Sequence, residues 1–172
     1  MATPASPFLI PVHELMHRPG AMRELDLDLA APEQLGAGAA YVREGDSVEL
    51  DLRLEGLHDG ILVSADIRTT VSGECVRCLD PVSLDLEVEF QELFAYSEDE
   101  AFDFQVQEDH VNLEPVVRDA VVLALPFQPV CREDCPGLDP ETGEKRTSSS
   151  EGPAREEVDP RWAALEGFQT EE

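Results

Sequence analysis

Residues 61–90 of the chain read Ile61-Leu-Val-Ser-Ala-Asp-Ile-Arg-Thr-Thr-Val71-Ser-Gly-Glu-Cys75-Val-Arg-Cys78-Leu-Asp-Pro81-Val-Ser-Leu-Asp-Leu-Glu-Val-Glu-Phe90. The first part is rich in β-branched residues, which is typical of a long strand. A cysteine pair and the turn signal Asp80-Pro81 follow it. Apolar and acidic residues then alternate, which is the period of a half-buried strand. The stretch therefore predicts two strands with a Cys-x-x-Cys turn between them.

The same alternation occurs upstream of this stretch. Leucines recur at every second position of residues 23–29, and apolar residues recur in the same way over residues 48–54. Residues 56–60 predict a turn, and residues 102–106 predict a short edge strand. Residues 11–18 predict two helical turns ended by Pro19-Gly20. Four or more antiparallel strands in succession indicate an α+β fold built on a small antiparallel sheet or an open barrel.

The hydrophobic period changes after Asn112, which is a favourable helix N-cap. Apolar residues recur at spacings of three and four over residues 113–124, and Pro126 ends the pattern. We expect one amphipathic helix that covers a face of the sheet.

The chain divides into three segments by composition. Residues 1–143 form the predicted domain, residues 144–158 are a polar stretch that predicts a disordered linker, and residues 159–172 predict a short helix and tail. In the last segment Asp159-Pro160 is a helix-start signal, and Trp162, Leu165 and Phe168 share one side. Because about ten residues are too few for a stable isolated helix, this side must dock on the domain or on a partner.

Acidic residues dominate the charge of the chain. Its 172 residues include 38 acidic and 12 basic ones, a net charge of −26. Residues 144–172 hold eight acidic and four basic residues, so a net charge of −22 belongs to residues 1–143. Extensive direct RNA binding is disfavoured, because such affinity comes mainly from cationic side chains on phosphates. A basic protein partner fits this charge, and the acidity equally serves solubility.

Localisation follows from what the sequence does not contain. The N-terminal residues have no basic region and no apolar run of signal-peptide length, and no stretch approaches the roughly 20 apolar residues of a membrane span. We therefore expect a cytoplasmic protein with no membrane contact. In a reducing compartment, closely spaced cysteines suggest metal or redox chemistry rather than disulfides.

Four cysteines in two pairs are the strongest candidates for chemistry. Cys75 and Cys78 form a Cys-x2-Cys pair, Cys131 and Cys135 form a Cys-x3-Cys pair, and 52 residues lie between the two pairs. Each pair brings two thiolates within reach of one ion, so the fold could assemble a tetrahedral zinc site from both. Free thiols and a redox pair remain alternatives. The redox alternative is the weakest, because reactive Cys-x-x-Cys pairs usually occupy a helix N-terminus rather than a turn between strands.

Catalytic motifs are missing from the sequence. It contains no phosphate-binding glycine loop, no Gly-x-Ser-x-Gly and no His-Glu-x-x-His, and neither His58 nor His110 neighbours a plausible nucleophile. His13 and His17 have a spacing that metal sites use, but surface positions are the simpler interpretation. Paired carboxylates carry no information in so acidic a chain. The sequence therefore predicts a protein that is not an enzyme and that has no catalytic or organic-cofactor site.

The order of these motifs resembles the YceD family. The resemblance is carried by Cys75-Val-Arg-Cys78-Leu-Asp-Pro81 after a strand, by a helix ending in Leu-Ala-Leu-Pro126, and by Cys131-x3-Cys135-x-Gly-Leu138. It implies a cytoplasmic role in the synthesis, processing or stability of 23S ribosomal RNA, without an assigned catalytic activity. Family genes often neighbour the gene of a small basic ribosomal protein, so the implied partner is a basic ribosomal protein or a pre-50S particle.

The chain departs from the family pattern after the second cysteine pair. Many relatives read Gly-Leu-Cys-Pro-x-Cys-Gly there, whereas this chain has Asp139 and Thr142 in the two cysteine positions. Three possibilities follow: a site made of both remaining pairs, a weaker site with Asp139 as an oxygen ligand, or no site. Accordingly, two functions stay open, a ribosome-biogenesis factor and a zinc- or thiol-dependent regulatory protein with no ribosomal role.

Overall fold

The computed structural model describes residues 6–97 and 103–147, which form eight strands and one helix in these ranges. The elements in chain order are β1 (Leu9–Pro11), β2 (Met22–Ala30), β3 (Ala40–Tyr41), β4 (Ser47–Gly56), β5 (Gly60–Glu74), β6 (Pro81–Ala95), β7 (Phe104–Gln105), β8 (His110–Asn112) and α1 (Glu114–Ala124). The combination of a sheet and one packed helix confirms the predicted α+β character.

The main sheet follows the order β2-β4-β5-β6-β7, and β3 pairs with β5 beside this path. Neighbouring strands from β2 to β6 are antiparallel, as the alternation predicts. β7 instead runs parallel to β6 and pairs only with its last two residues. The sheet does not close into a barrel, because the path ends at β2 and β7 without pairing them. This open arrangement agrees with both forms that the sequence predicts, a small antiparallel sheet and an open barrel.

Burial follows the alternation of the sequence most clearly in the central strands. In β4 the apolar residues Val48, Leu50, Leu52 and Leu54 are all buried, whereas the residues between them are exposed or half-buried. The inner faces of β2 and β6 are only partly covered. The core therefore lies against β4 and β5, and the inner-face side chains are less buried in β2 and β6.

The helix α1 packs over the inner face through Val116, Val117 and Val121. It begins one residue later than predicted, because Leu113 occupies the N-cap position and Asn112 is the last residue of β8. The Asn112 side chain still accepts a hydrogen bond from the Glu114 backbone N–H at 3.1 Å. A second, two-stranded sheet of β1 and β8 fixes the chain just before the helix.

Residues 12–18 form hydrogen-bonded turns rather than the two helical turns predicted from the sequence. The backbone N–H groups of Leu15 and Met16 both donate to the Val12 carbonyl. The Arg18 N–H donates to the Leu15 carbonyl, three residues back, rather than to the residue four back as in an α-helix. His17 has a φ of 55°, which breaks the helical conformation. Val12 and Leu15 nevertheless reach the core, as the apolar spacing predicts.

The predicted linker and tail fall mainly outside the described residues. Of residues 144–158 the structure describes 144–147, in which Lys145 pairs with Leu138 across a short turn. The remaining linker residues and the predicted helix with Trp162, Leu165 and Phe168 lie beyond this range, so the division into three segments stays a prediction. In the described part of the chain, no helix has the length and apolarity needed to span a membrane.

Candidate metal centre

The first cysteine pair lies in the connection between β5 and β6. Cys75 directly follows β5, and its backbone N–H donates to the Asp80 carbonyl at 2.7 Å. The Leu79 N–H closes the turn by donating to the Cys75 carbonyl at 2.8 Å, with Leu79 at a φ of 61°. This tight turn directs the thiols of Cys75 and Cys78 to the same side.

The second pair reaches the same place from the segment after α1. The Val76 N–H donates to the Pro129 carbonyl at 2.9 Å, and the Leu138 N–H donates to the Arg77 carbonyl at 3.0 Å. These bonds hold residues 129 and 138 against the first turn, so the loop between them carries Cys131 and Cys135 inwards. Gly137 permits the contact: its φ is +78°, and a Cβ there would lie 3.1 Å from the Arg77 carbonyl oxygen.

The four thiols meet at one point. The Sγ atoms of Cys75 and Cys135 are 3.9 Å apart, those of Cys78 and Cys131 are 3.7 Å apart, and all four lie within 4.8 Å of one another. Sulfurs bound to one zinc ion at about 2.3 Å in a tetrahedron are separated by roughly 3.8 Å. The group therefore has the ligand type, number and spacing that a four-thiolate zinc site requires.

The centre forms a small cluster separate from the main core. Cys75, Cys78 and Cys135 are buried with Val82, and Val130 and Leu138 cover them partly. Cys131 is the exposed member. With so few apolar neighbours, this end of the domain has little hydrophobic stabilisation of its own. A bound ion could supply the missing cross-link between the two loops.

The environment favours the ionisation of one thiol and opposes that of its neighbours. Burial opposes ionisation of Cys75, but hydrogen bonds from the backbone N–H groups of Cys131, Arg77 and Cys78 lower its pKa to about 6. At Cys78 a backbone hydrogen bond from Asp80 favours the thiolate, yet burial and the three neighbouring thiols together raise its pKa to about 12. Without a cation, adjacent thiolates repel each other, so a divalent ion is what allows all four to be ionised together.

Two basic residues surround the thiols. The Arg77 guanidinium donates to the carbonyls of Glu133 and Cys135 at 2.8 and 3.2 Å, which ties the two loops together. Lys145 forms an ion pair with Asp80, whose carboxylate also accepts the Cys78 thiol at 3.5 Å. The Lys145 hydrogen bond lowers the pKa of Asp80, and Asp80 raises the pKa of Lys145. These two cations can offset the negative charge of a four-thiolate centre.

The structure brings together all four cysteines that the sequence suggested as ligands. Asp139, the alternative oxygen ligand, has another role: its carboxylate accepts the backbone N–H groups of Glu141 and Thr142 at 2.9 and 3.0 Å. Those bonds lower its pKa and hold it in a turn. Sequence reasoning did not find Arg77, Asp80 or Lys145 as neighbours of the thiols. The fact that Lys145 is the only lysine in the chain was the one available signal.

Fold and site together define a β-rich domain with one packed helix and a cluster of four cysteines that has the ligand number and spacing of structural zinc sites. The family model named "Large ribosomal RNA subunit accumulation protein YceD" matches residues 63–169, which include β6, α1 and both cysteine pairs. The chain belongs to the YceD family, as the order of its motifs predicts.

Curated relatives support this assignment. An uncharacterized protein of Mycobacterium tuberculosis (strain ATCC 25618 / H37Rv) is 42% identical over 169 residues, covering 94% of this chain and 81% of the relative. A Mycobacterium leprae (strain TN) protein is 33% identical over 168 residues, 93% of this chain and 76% of that one. The protein YlbN of Bacillus subtilis (strain 168) is 30% identical over 124 residues, with coverage of 67% and 72%. No solved structure matches the chain.

Proposed function

We propose that this protein promotes the accumulation of 23S rRNA, and so of the large ribosomal subunit, as a non-enzymatic factor of the cytoplasm. The observation that carries the proposal is the family match, whose name describes this role and whose span covers the metal centre and the helix. YceD is not a known enzyme family. The protein would therefore act in the synthesis, processing or stability of 23S rRNA by holding other molecules.

The cysteine centre supports a structural rather than catalytic contribution. Catalytic zinc sites keep one position open for water or substrate, whereas four protein thiolates fill the tetrahedron. We propose that Cys75, Cys78, Cys131 and Cys135 bind one zinc ion, which fastens residues 129–138 to the β5–β6 connection. Because the ligands lie on loops with few apolar contacts, binding energy at this site becomes folding energy.

The outer face of the sheet supports a protein partner over bare RNA. The strand register aligns Asp26, Asp51, Asp66 and Glu89 in one row across β2, β4, β5 and β6. Carboxylates facing each other in this way repel phosphate and attract lysine and arginine. A basic ribosomal protein, free or within a pre-50S particle, is therefore the proposed partner, and rRNA would be reached through it.

A clean deletion of the gene tests the proposal through the ribosomal subunit profile. We expect fewer 50S subunits and an excess of free 30S subunits on a sucrose gradient, and we expect the full chain supplied from a plasmid to restore the profile. An unchanged profile in the deletion strain would remove the ribosomal role.

A second candidate is a zinc- or thiol-dependent regulator, and the exposure of Cys131 favours it. An exposed thiol is open to oxidants, and its oxidation would take one ligand from the centre. This candidate predicts that peroxide changes the set of bound partners while rRNA levels in the deletion strain stay normal. The ribosomal proposal instead predicts that the deletion strain has less 23S rRNA than the wild type.

A further inference from the structure

Most of strand β6 is an unpaired sheet edge. β5 pairs with one side of β6 along its whole length, from Pro81 to Ala95. On the other side, β7 pairs only with Phe94 and Ala95. Among the described residues, no strand or loop hydrogen-bonds to the outer edge of residues 82–93. An edge of this length presents a row of free backbone donors and acceptors, which natural proteins usually shorten, cover or charge.

The side chains of this edge alternate between two chemical types. Those on the inner face are apolar and half-buried, namely Leu84, Leu86, Val88 and Phe90. Those on the outer face between them are the exposed carboxylates Asp85, Glu87 and Glu89. Any strand that paired here would place alternate residues beside the apolar row and the acidic row.

The acidic row has no cation of its own among the described ion pairs. Arg68 faces Glu87 in the register, but its guanidinium turns the other way, to Asp51 at 2.7 Å and Glu49 at 3.4 Å. Glu89 faces another carboxylate, Asp66. Asp85, Glu87 and Glu89 therefore form a line of negative charge that basic side chains of a partner could neutralise.

The apolar row opens into a groove of about 810 Å³ between β6 and α1. Phe90, Phe104 and Leu123 line it, and Leu123 leaves 86% of its surface exposed. Further carboxylates lie at its rim, on Glu92 and Asp119. Apolar side chains from an added strand would find a half-formed pocket here, and basic side chains would find negative charge around it.

We propose that β6 is a docking edge for an extended segment of a partner protein in which basic and apolar residues alternate. The segment adds one strand to the sheet, with its apolar side chains over the groove and its lysines or arginines beside Asp85, Glu87 and Glu89. This inference rests on the proposed function, because it gives the site at which a basic ribosomal protein is held.

Charge argues against the two other occupants. A second copy paired edge to edge would place its own Asp85, Glu87 and Glu89 against the same row, and like charges directly opposite destabilise a strand pair. The chain's own residues 148–172 carry seven acidic and two basic residues, a net charge of −5. Both candidates are repelled where a basic strand is attracted.

The test uses the full-length, zinc-loaded protein and two synthetic peptides of equal composition. One alternates valine and lysine over ten residues, and the control has five valines followed by five lysines. We expect the alternating peptide to slow hydrogen exchange of outward-facing β6 amides between residues 84 and 93, while the block peptide does not. Protection without peptide would mean that the tail or a second copy already covers the edge, and protection elsewhere would mean non-specific charge binding. Either result overturns the proposal.

A charge-swap variant gives the matched control. Glu87→Lys/Glu89→Lys should bind the valine–lysine peptide about tenfold more weakly and a valine–glutamate peptide more tightly. The same reversal at Glu24→Lys/Asp26→Lys, on β2 at the opposite end of the sheet, should leave the selectivity of β6 unchanged. Equal effects of the two reversals would overturn the assignment. The two proposals can fail separately. If the peptide does not bind β6 but the deletion strain still has a low 50S level, the docking proposal is wrong and the ribosomal role stands.

Discussion

The four cysteines of the centre differ in their surroundings although they share one point in space. Cys75 has no exposed surface and receives backbone N–H donors, whereas Cys131 is open to solvent. If zinc binds here as proposed, the thiolate of Cys75 would be its first ligand, because hydrogen bonds already lower the pKa of that thiol. Of the four thiols, that of Cys131 is the most accessible to oxidants.

Replacing the first pair should release the metal and loosen the domain. We expect about one zinc per wild-type chain purified without chelator, and none retained in Cys75→Ser/Cys78→Ser, with a lower melting temperature. Elemental analysis and thermal denaturation measure both. Val76→Ala, in the same turn but without a ligand, should keep its zinc. Less than about 0.2 zinc per wild-type chain would favour free thiols.

Lys145 should tune the centre through its charge. Asp80 lies beside the Cys78 thiol, so its carboxylate would repel a thiolate there unless Lys145 offsets the charge. Lys145→Gln should therefore weaken zinc binding by roughly tenfold or more, whereas Lys145→Arg should keep most of the affinity. The rate of zinc transfer to a chromogenic chelator reports the effect. Identical rates for the two variants would show that the cation has no part in metal binding.

At the scale of single residues, the sequence predicted the four cysteines but not their surroundings. Close cysteine pairs are recognisable because one metal ion needs adjacent ligands. Arg77, Asp80 and Lys145 are ordinary charged residues, and only the fold brings residue 145 next to residue 80. Asp139 was a reasonable oxygen ligand by its position, but its carboxylate is committed to two local backbone N–H groups.

At the scale of the strands, the carboxylates that face each other across β4, β5 and β6 should lower the stability of the sheet. Asp66 has Asp51 on one neighbouring strand and Glu89 on the other. Asp51 is paired with Arg68, so Glu89 is the uncompensated charge. Asp66→Asn should therefore raise the melting temperature by about 1–2 °C, because it removes the exposed like-charge pair with Glu89. Glu74→Gln, which faces Pro81, removes an equal charge without a facing carboxylate and should change little. Thermal denaturation at low salt measures the melting temperatures of both variants. Equal shifts would mean that the change in net charge alone explains the effect.

The long strands and the short strand β7 were predictable, whereas β1, β3 and β8 were not. Period-two alternation over seven residues predicted each of β2, β4 and β6, because burial on one face leaves a repeated signal, and β-branched residues predicted β5. The three-residue strands β1 and β8 are too short to show a period, so their pairing was missed. The helical turns predicted over residues 11–18 were wrong for a different reason. Successive turns can bury Val12 and Leu15 at a helical spacing without forming a helix.

The charge of the whole molecule determines what it can approach. A domain with so large a negative excess attracts basic proteins over distances of about 8 Å at physiological ionic strength, and it repels nucleic acid over the same range. Binding to a basic large-subunit protein should therefore weaken steeply between low and physiological salt. Naked 23S rRNA should bind poorly throughout the same titration. Tight, salt-sensitive binding to the naked RNA would show that the arginines form a phosphate-binding surface.

The ratio of 23S to 16S rRNA tests the central claim most directly, that a metal-held, non-catalytic protein supports large-subunit RNA. It should be measured in a clean deletion strain carrying an empty plasmid, the wild-type gene or the Cys75→Ser/Cys78→Ser gene. We predict a lowered ratio with the empty plasmid, full recovery with the wild type and little recovery with the serine variant. A ratio that does not change when the gene is deleted would contradict the account.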